Sequence, residues 1–180
     1  MRKIIFLILF ICFVNAYEYN KLLLRTQSSL YPKLILMDQN LPSHLSDKII
    51  DFYILVTAID RLYAIYIKKQ LDRLYAKGLG GYGFHSKIVN FSTFLADKES
   101  NVDAVYVLKA KEELLKKVAK KIEGKNIYSF TYEKEDLIWG FLFNASIEKK
   151  VVIYINKSVL MHHDFEFLPQ LYQMSRFIEP

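Results

Sequence analysis

The chain has 180 residues, of which 52% are apolar, and carries a formal charge of +6. That is enough apolar material for one sizeable core, and it excludes a disordered or low-complexity chain. A single cysteine excludes an intrachain disulfide, and lysines spread along the sequence argue for a solvated surface and against nucleic-acid binding.

Met1-Arg2-Lys3 is a short positive head, and Ile4 to Val14 is an unbroken apolar run of eleven residues. Val14 and Ala16 then place small residues three and one positions before a cut, the grammar of a secretory leader. Cleavage is expected between Ala16 and Tyr17, leaving residues 17–180 as a single exported domain. The run is shorter than the ~20 residues of a membrane-spanning helix, so the processed chain is not expected to span the membrane. The only cysteine, Cys12, leaves with the leader, and removing Arg2 and Lys3 lowers the charge to +4. A processed chain without cysteine has no thiol nucleophile and no thiolate metal ligand.

Residues 17–31 read as a helix, with Leu23, Gln27 and Leu30 at helical spacing and Pro32 as its stop. Residues 33–38 read as a short strand and 39–47 as a loop. Residues 49–57 form a β-branched and aromatic run that predicts a buried strand. Asp60 is placed to cap a helix reaching residue 77, whose inward stripe is Tyr63, Ile67, Leu71 and Leu74. After a glycine cluster, residues 86–91 read as the next strand. Residues 103–108, 111–123 and 126–130 repeat the strand–helix–strand pattern. Five lysines lie on the outer face of that helix, and Gly124 stands at its stop. Short crossovers of this kind join parallel strands right-handedly. Residues 138–147 and 151–155 predict an antiparallel hairpin about Glu148-Lys149-Lys150. Residues 157–163 and 168–178 look helical. The expected fold is a three-layer α/β domain with a mixed, mostly parallel sheet and a C-terminal antiparallel hairpin.

Gly78-Leu79-Gly80-Gly81-Tyr82-Gly83 contains G-x-G-x-x-G, but it follows a helix and precedes a strand. A dinucleotide site needs the reverse order, so that a helix N-terminus meets the pyrophosphate. The cluster reads instead as a helix stop followed by a flexible surface loop. His162-His163-Asp164 with Glu166 has the residue types of a metal site. Neighbouring helical side chains diverge by ~100°, however, and the spacing is that of no established site, so helix-end histidines on a polar turn are expected. Glu133, Glu135 and Asp136 cluster before a strand and read as a solvated turn. No catalytic constellation, cofactor site or metal site is expected.

The C-terminal third carries a resemblance. Gly140, an apolar strand and hairpin, Ile153-Tyr154-Ile155-Asn156 opening a helix, and Phe167-Leu168-Pro169-Gln170-Leu171 follow the order seen in the YfiR/HmsC-like family of periplasmic proteins. Gly140 matches that family's strand-start glycine, Ile155-Asn156 its strand-end step, and Leu168 with Leu171 its last apolar pair. Pro32 corresponds to the Trp-Pro that closes its first helix, although Tyr31 stands in place of the tryptophan. The cysteines of some members are missing.

The resemblance implies a periplasmic, non-enzymatic regulator. Its partner would be the periplasmic region of an inner-membrane diguanylate cyclase-like signalling protein, whose cyclic di-GMP output controls biofilm formation; a homodimer is a further expected assembly. Two other classes fit the chain less closely. A small-ligand receptor or sensor accessory would use the carboxyl ends of the parallel strands, near residues 57–60 and 108–110. An envelope hydrolase would need the carboxylates around Glu133 or the His162-His163 pair.

Overall fold

The computed structural model describes residues 17–98 and 101–179. The expected leader, up to Ala16, lies outside them.

The first helix, α1 (Lys21–Ile35), starts at Asn20, whose side-chain oxygen accepts the N–H groups of Leu22 and Leu23 at 2.9 and 3.1 Å. This cap sets the start four residues later than helical spacing alone predicts. Pro32 lies inside the helix rather than at its end. A mid-helix proline costs ~3 kcal/mol. The turn beyond it persists because Leu34 and Ile35 are buried in the core, each contributing roughly 1.5–3 kcal/mol. The strand expected at residues 33–38 is therefore the last turn of α1 and its exit. The expected loop after it contains a one-turn helix, α2 (Leu41–His44), with Pro42 in its first turn.

Then follow β1 (Ile49–Val56), α3 (Arg61–Leu74), β2 (Gly83–Asn90), α4 (Phe91–Ala96), β3 (Ala104–Val107), α5 (Glu112–Ile122) and β4 (Tyr128–Thr131). A 3₁₀ turn (Glu135–Trp139) ends at Gly140, whose φ of 107° suits glycine. The chain closes with β5 (Phe143–Ile147), β6 (Val151–Asn156), α6 (Lys157–Met161), α7 (Pro169–Met174) and β7 (Ser175–Ile178). The long strand expected from residue 138 is thus a 3₁₀ turn followed by a shorter strand. The helix expected over 168–178 covers only its first half. Its second half is β7, paired in parallel with β6 from Ile153↔Ser175 to Asn156↔Ile178. The outer backbone groups of β6 need partners, and that tertiary demand overrides the local helical pattern.

The described residues build one seven-stranded sheet of order β2-β1-β3-β4-β5-β6-β7. From β2 to β5 all pairs are parallel, β5–β6 is the antiparallel hairpin, and β6–β7 is parallel. Alternation along the strands feeds two cores. Phe52, Ile54, Tyr106, Phe130 and Ile155 pack with α1, α3 and Leu171 of α7 on one face. Leu55, Val105, Val107 and Tyr154 pack with α4 and α5 on the other. This is the three-layer α/β architecture expected from the sequence. The inward stripe of α3 is Ala64, Ile67 and Leu71, and Leu74 is largely exposed.

β4 and β5 pair over only two positions, Phe130↔Phe143 and Thr131↔Asn144, and then part. Side chains from α1 satisfy the backbone groups released there. The Gln27 amide donates to the carbonyls of Tyr132 and Ala145 at 3.0 and 2.8 Å, and its oxygen accepts the Tyr106 hydroxyl. One turn on, the Tyr31 hydroxyl donates to the Thr131 carbonyl at 2.7 Å and accepts the Ala145 N–H at 3.1 Å. Both side chains are fully buried. Gln27→Leu strands two carbonyls and a hydroxyl, and is expected to cost about 3 kcal/mol, whereas Tyr31→Phe is expected to cost about 1–2 kcal/mol. Urea unfolding of the two variants against the parent chain measures the difference.

Candidate functional site

The order β2-β1-β3 places a topological switch between β1 and β3, where an open α/β sheet forms its binding crevice. This is where the sequence located it, at residues 57–60 and 108–110. The structure fills it with the chain's own residues 17–20, an occupant that sequence reasoning missed. Tyr19 lies between the rings of Tyr63 and Tyr132, at centroid distances of 4.3 and 4.8 Å. Its hydroxyl accepts the Lys109 N–H at 3.0 Å, and the Lys109 ammonium sits over the rings of both Tyr19 and Tyr132. The Asn20 N–H donates to the Tyr132 hydroxyl at 2.8 Å. At the far end the Tyr17 N–H donates to Asp60 Oδ1 at 3.3 Å, and Asp60 Oδ2 accepts the Thr57 hydroxyl at 2.8 Å. Burial is the main reason the Tyr19 and Tyr132 hydroxyls are held protonated, above the ordinary phenol range. Asp60 stands at the cap position of α3 but makes no side-chain cap bond; its carboxylate faces the N-terminal segment instead.

A second surface lies on the outer side of α1. A groove of about 460 Å³ runs between α1 and the hairpin, floored by Leu22, Val151, Ile153 and Met174 and rimmed by Arg25 and Lys33. Leu22, Val151 and Met174 are all exposed apolar side chains. No acidic residue lines the groove, and neither rim cation forms an ion pair among the described residues.

The histidines separate. His162 and His163, with Lys116, Lys120, Trp139 and Ser158, line a cavity of about 380 Å³ between α5 and α6. Each histidine Nδ1 donates to the carbonyl four residues back, Ser158 at 2.6 Å and Val159 at 2.7 Å. His85 is exposed beside Asp51. The His44 side chain is buried against Asp38 (3.1 Å) and the Tyr128 hydroxyl (3.2 Å), a cluster the sequence did not signal because Tyr128 is far from the other two in the chain. Asp38 Oδ1 also accepts the Asn40 and Glu166 N–H groups. Among the described residues no three His, Cys, Asp or Glu side chains are placed to hold a metal ion.

The family-motif positions fall in structural roles. Gly140 closes the 3₁₀ turn, and Asn156 reaches that turn by donating to the Leu137 carbonyl at 2.8 Å while its oxygen caps α6 through the Val159 N–H. Ile155 and Leu171 are core residues, Pro32 is buried in α1, and Leu168 stands partly exposed at the start of α7. The glycine cluster, expected as a surface loop, contains a hydrogen-bonded turn. Leu79 and Tyr82 exchange backbone hydrogen bonds of 2.8 and 3.0 Å, and Leu79 is buried. A Cβ on Gly78 would meet the Tyr82 carbonyl oxygen at 2.3 Å.

No family model and no curated protein matches the chain. Solved structures do. The ABC domain in complex with L-Trp from Streptococcus pneumonia is similar with a TM-score of 0.59 and 11% identity, over 83% of this chain and 61% of that one. A conserved domain protein from Vibrio cholerae O1 biovar eltor has a TM-score of 0.60 and 9% identity, over 86% and 59%. The chain spans about three-fifths of the length of each, and what they share with it is the α/β fold. No helix among the described residues is long and apolar enough to cross a membrane.

The acidic cluster before β5 departs from the expected solvated turn. Glu135 is exposed and Glu133 pairs with Lys109 at 2.8 Å, but Asp136 is buried. Burial, reinforced by Glu133 and Glu135, pushes the Asp136 carboxyl up to about 7. The folded chain then holds this proton more tightly than the unfolded chain, so the contribution of Asp136 to stability falls as pH rises from about 4 to about 7. Asp136→Asn removes that loss. Its melting temperature is expected to match the parent near pH 4 and to exceed it by ~3 °C or more at pH 8. Thermal melts of both chains across this range give the comparison.

Proposed function

We propose that the chain is a non-enzymatic periplasmic regulator, of the kind its sequence resembles in the YfiR/HmsC-like family, that binds the periplasmic region of a diguanylate cyclase-like inner-membrane protein. The observation that carries this reading is the occupied crevice. With Tyr19 packed between Tyr63 and Tyr132, the usual ligand position of the fold is taken by the chain itself, and recognition falls to the outer surface. This weighs against a small-ligand receptor that uses that crevice.

The basic-rimmed groove beside α1 supplies the contact surface. Its apolar floor and unpaired Arg25 and Lys33 fit an amphipathic partner segment bearing acidic residues. Such a domain restrains its partner only by binding the inactive state more tightly than the active one. An envelope hydrolase has less support: Glu133 is paired with Lys109, and the His162 and His163 Nδ1 atoms are bonded to backbone.

Deleting the gene in its own host is expected to raise cellular cyclic di-GMP. The parent gene should restore it, and a double charge reversal, Arg25→Glu with Lys33→Glu, should not, although the variant is exported and folded. Unchanged cyclic di-GMP on deletion would sink the proposal.

A further inference from the structure

Asp60 is a fully buried carboxylate with no cationic partner from the described side chains. Its two oxygens accept one hydroxyl, from Thr57, and one backbone N–H, from Tyr17. A buried carboxylate held by neutral donors alone is costly. The nitrogen that faces it, 3.3 Å from Oδ1, belongs to the residue immediately after the expected cut.

We propose that removal of the leader creates the counter-ion of Asp60: hydrolysis of the Ala16–Tyr17 bond converts the Tyr17 amide into an α-ammonium that pairs with the buried Asp60 carboxylate and locks residues 17–20 into the crevice. The inference rests on the export reading. In the step, a leader-cleaving peptidase adds water across the peptide bond, Ala16 leaves with a carboxylate, and Tyr17 keeps the nitrogen, which takes up a proton. No side chain moves, because the nitrogen is already within ion-pair distance. What changes is its charge: a hydrogen bond already assisted by the carboxylate gains an opposite charge on the donor and becomes an ion pair.

The consequences reach along the segment. Tyr17, Tyr19 and Asn20 are held at three separate points, on Asp60, the Lys109 N–H and Tyr132. The pair at Tyr17 closes the free end of that series. Before cleavage the same end continues into residues 1–16 and carries no ammonium. Processing thereby strengthens a closure that is already formed: the segment lies in the crevice beforehand, and cleavage adds the ion pair that holds its end. Glu18 is exposed and makes no contact that competes for the new ammonium.

The test compares three chains of identical sequence from Tyr17 onward: one with a free amine, one acetylated on that amine, and one with a glycine added before it. The free-amine chain is expected to melt ~5 °C or more above the other two. In Asp60→Asn the three chains should melt within about 1 °C of one another. Where Asp60→Asn does not fold, the carboxyl carbon resonance of Asp60 in the parent chain serves instead and should shift on acetylation. Equal melting of the free and acetylated parent chains overturns the proposal, as does an unmoved resonance. So does an exported protein whose intact mass begins at any residue other than Tyr17. Cyclic di-GMP enters none of these measurements, so failure of the regulatory reading leaves this result standing.

Discussion

The parting of β4 and β5 is the constraint on which the rest of the structure depends. A sheet that pairs two strands over two positions and then lets them diverge releases carbonyl and amide groups inside a dry core. Gln27 and Tyr31, one helical turn apart on α1, meet the exposed groups of Thr131, Tyr132 and Ala145. Asn144 completes the set by donating to the Thr131 and Tyr132 carbonyls. These bonds fix where α1 lies and at what rotation, because two polar side chains must reach into one gap. They also explain how a parallel sheet and an antiparallel hairpin coexist in one layer without an unpaired seam.

The other buried tyrosines extend the same logic. Tyr106 reaches Gln27, Tyr128 reaches Asp38, Tyr132 receives Asn20 and Tyr75 donates to the Ser29 carbonyl. Each ring contributes apolar area to the core, and each hydroxyl demands one position for its partner. The abundance of tyrosine is therefore more than bulk. A core of phenylalanines would bury similar area while leaving the registers of α1 and the N-terminal segment underdetermined.

Much of this was legible in the sequence, and what was not has a common cause. α5 shows its period directly, because it buries one face within its own residues, and β1, β3 and β6 show themselves as continuous apolar runs, because both of their faces are covered. Gln27 stood at core spacing in the first helix, an anomaly that the gap between β4 and β5 explains. β7 was hidden, since only the open edge of β6 makes Ser175 to Ile178 a strand. The two bounds of α1 were displaced in the same direction by a local cap at Asn20 and a distant core that tolerates Pro32. For the site, the position of the crevice followed from strand order, but its occupant did not. Nothing local to Tyr19 shows that Tyr63 and Tyr132, 44 and 113 residues away, will flank it.

One helix links the two surfaces that matter. α1, fifteen residues and so about 22 Å long, carries the crevice segment at its N-terminal end, while its outer face forms one wall of the groove. Between them, Gln27 and Tyr31 pin it to the sheet. A helix held at its middle by buried hydrogen bonds cannot slide without stranding those groups, so a load on one surface is borne by the clasp. Coupling between a partner in the groove and the segment in the crevice therefore requires that α1 have a second rotation satisfying the same carbonyls. The side-chain geometry offers none: Gln27 and Tyr31 each make bonds to two strands, and a turn of the helix breaks both at once. In this architecture the N-terminal segment is fixed to the start of α1, and the groove proposed for docking is held in place by the same clasp.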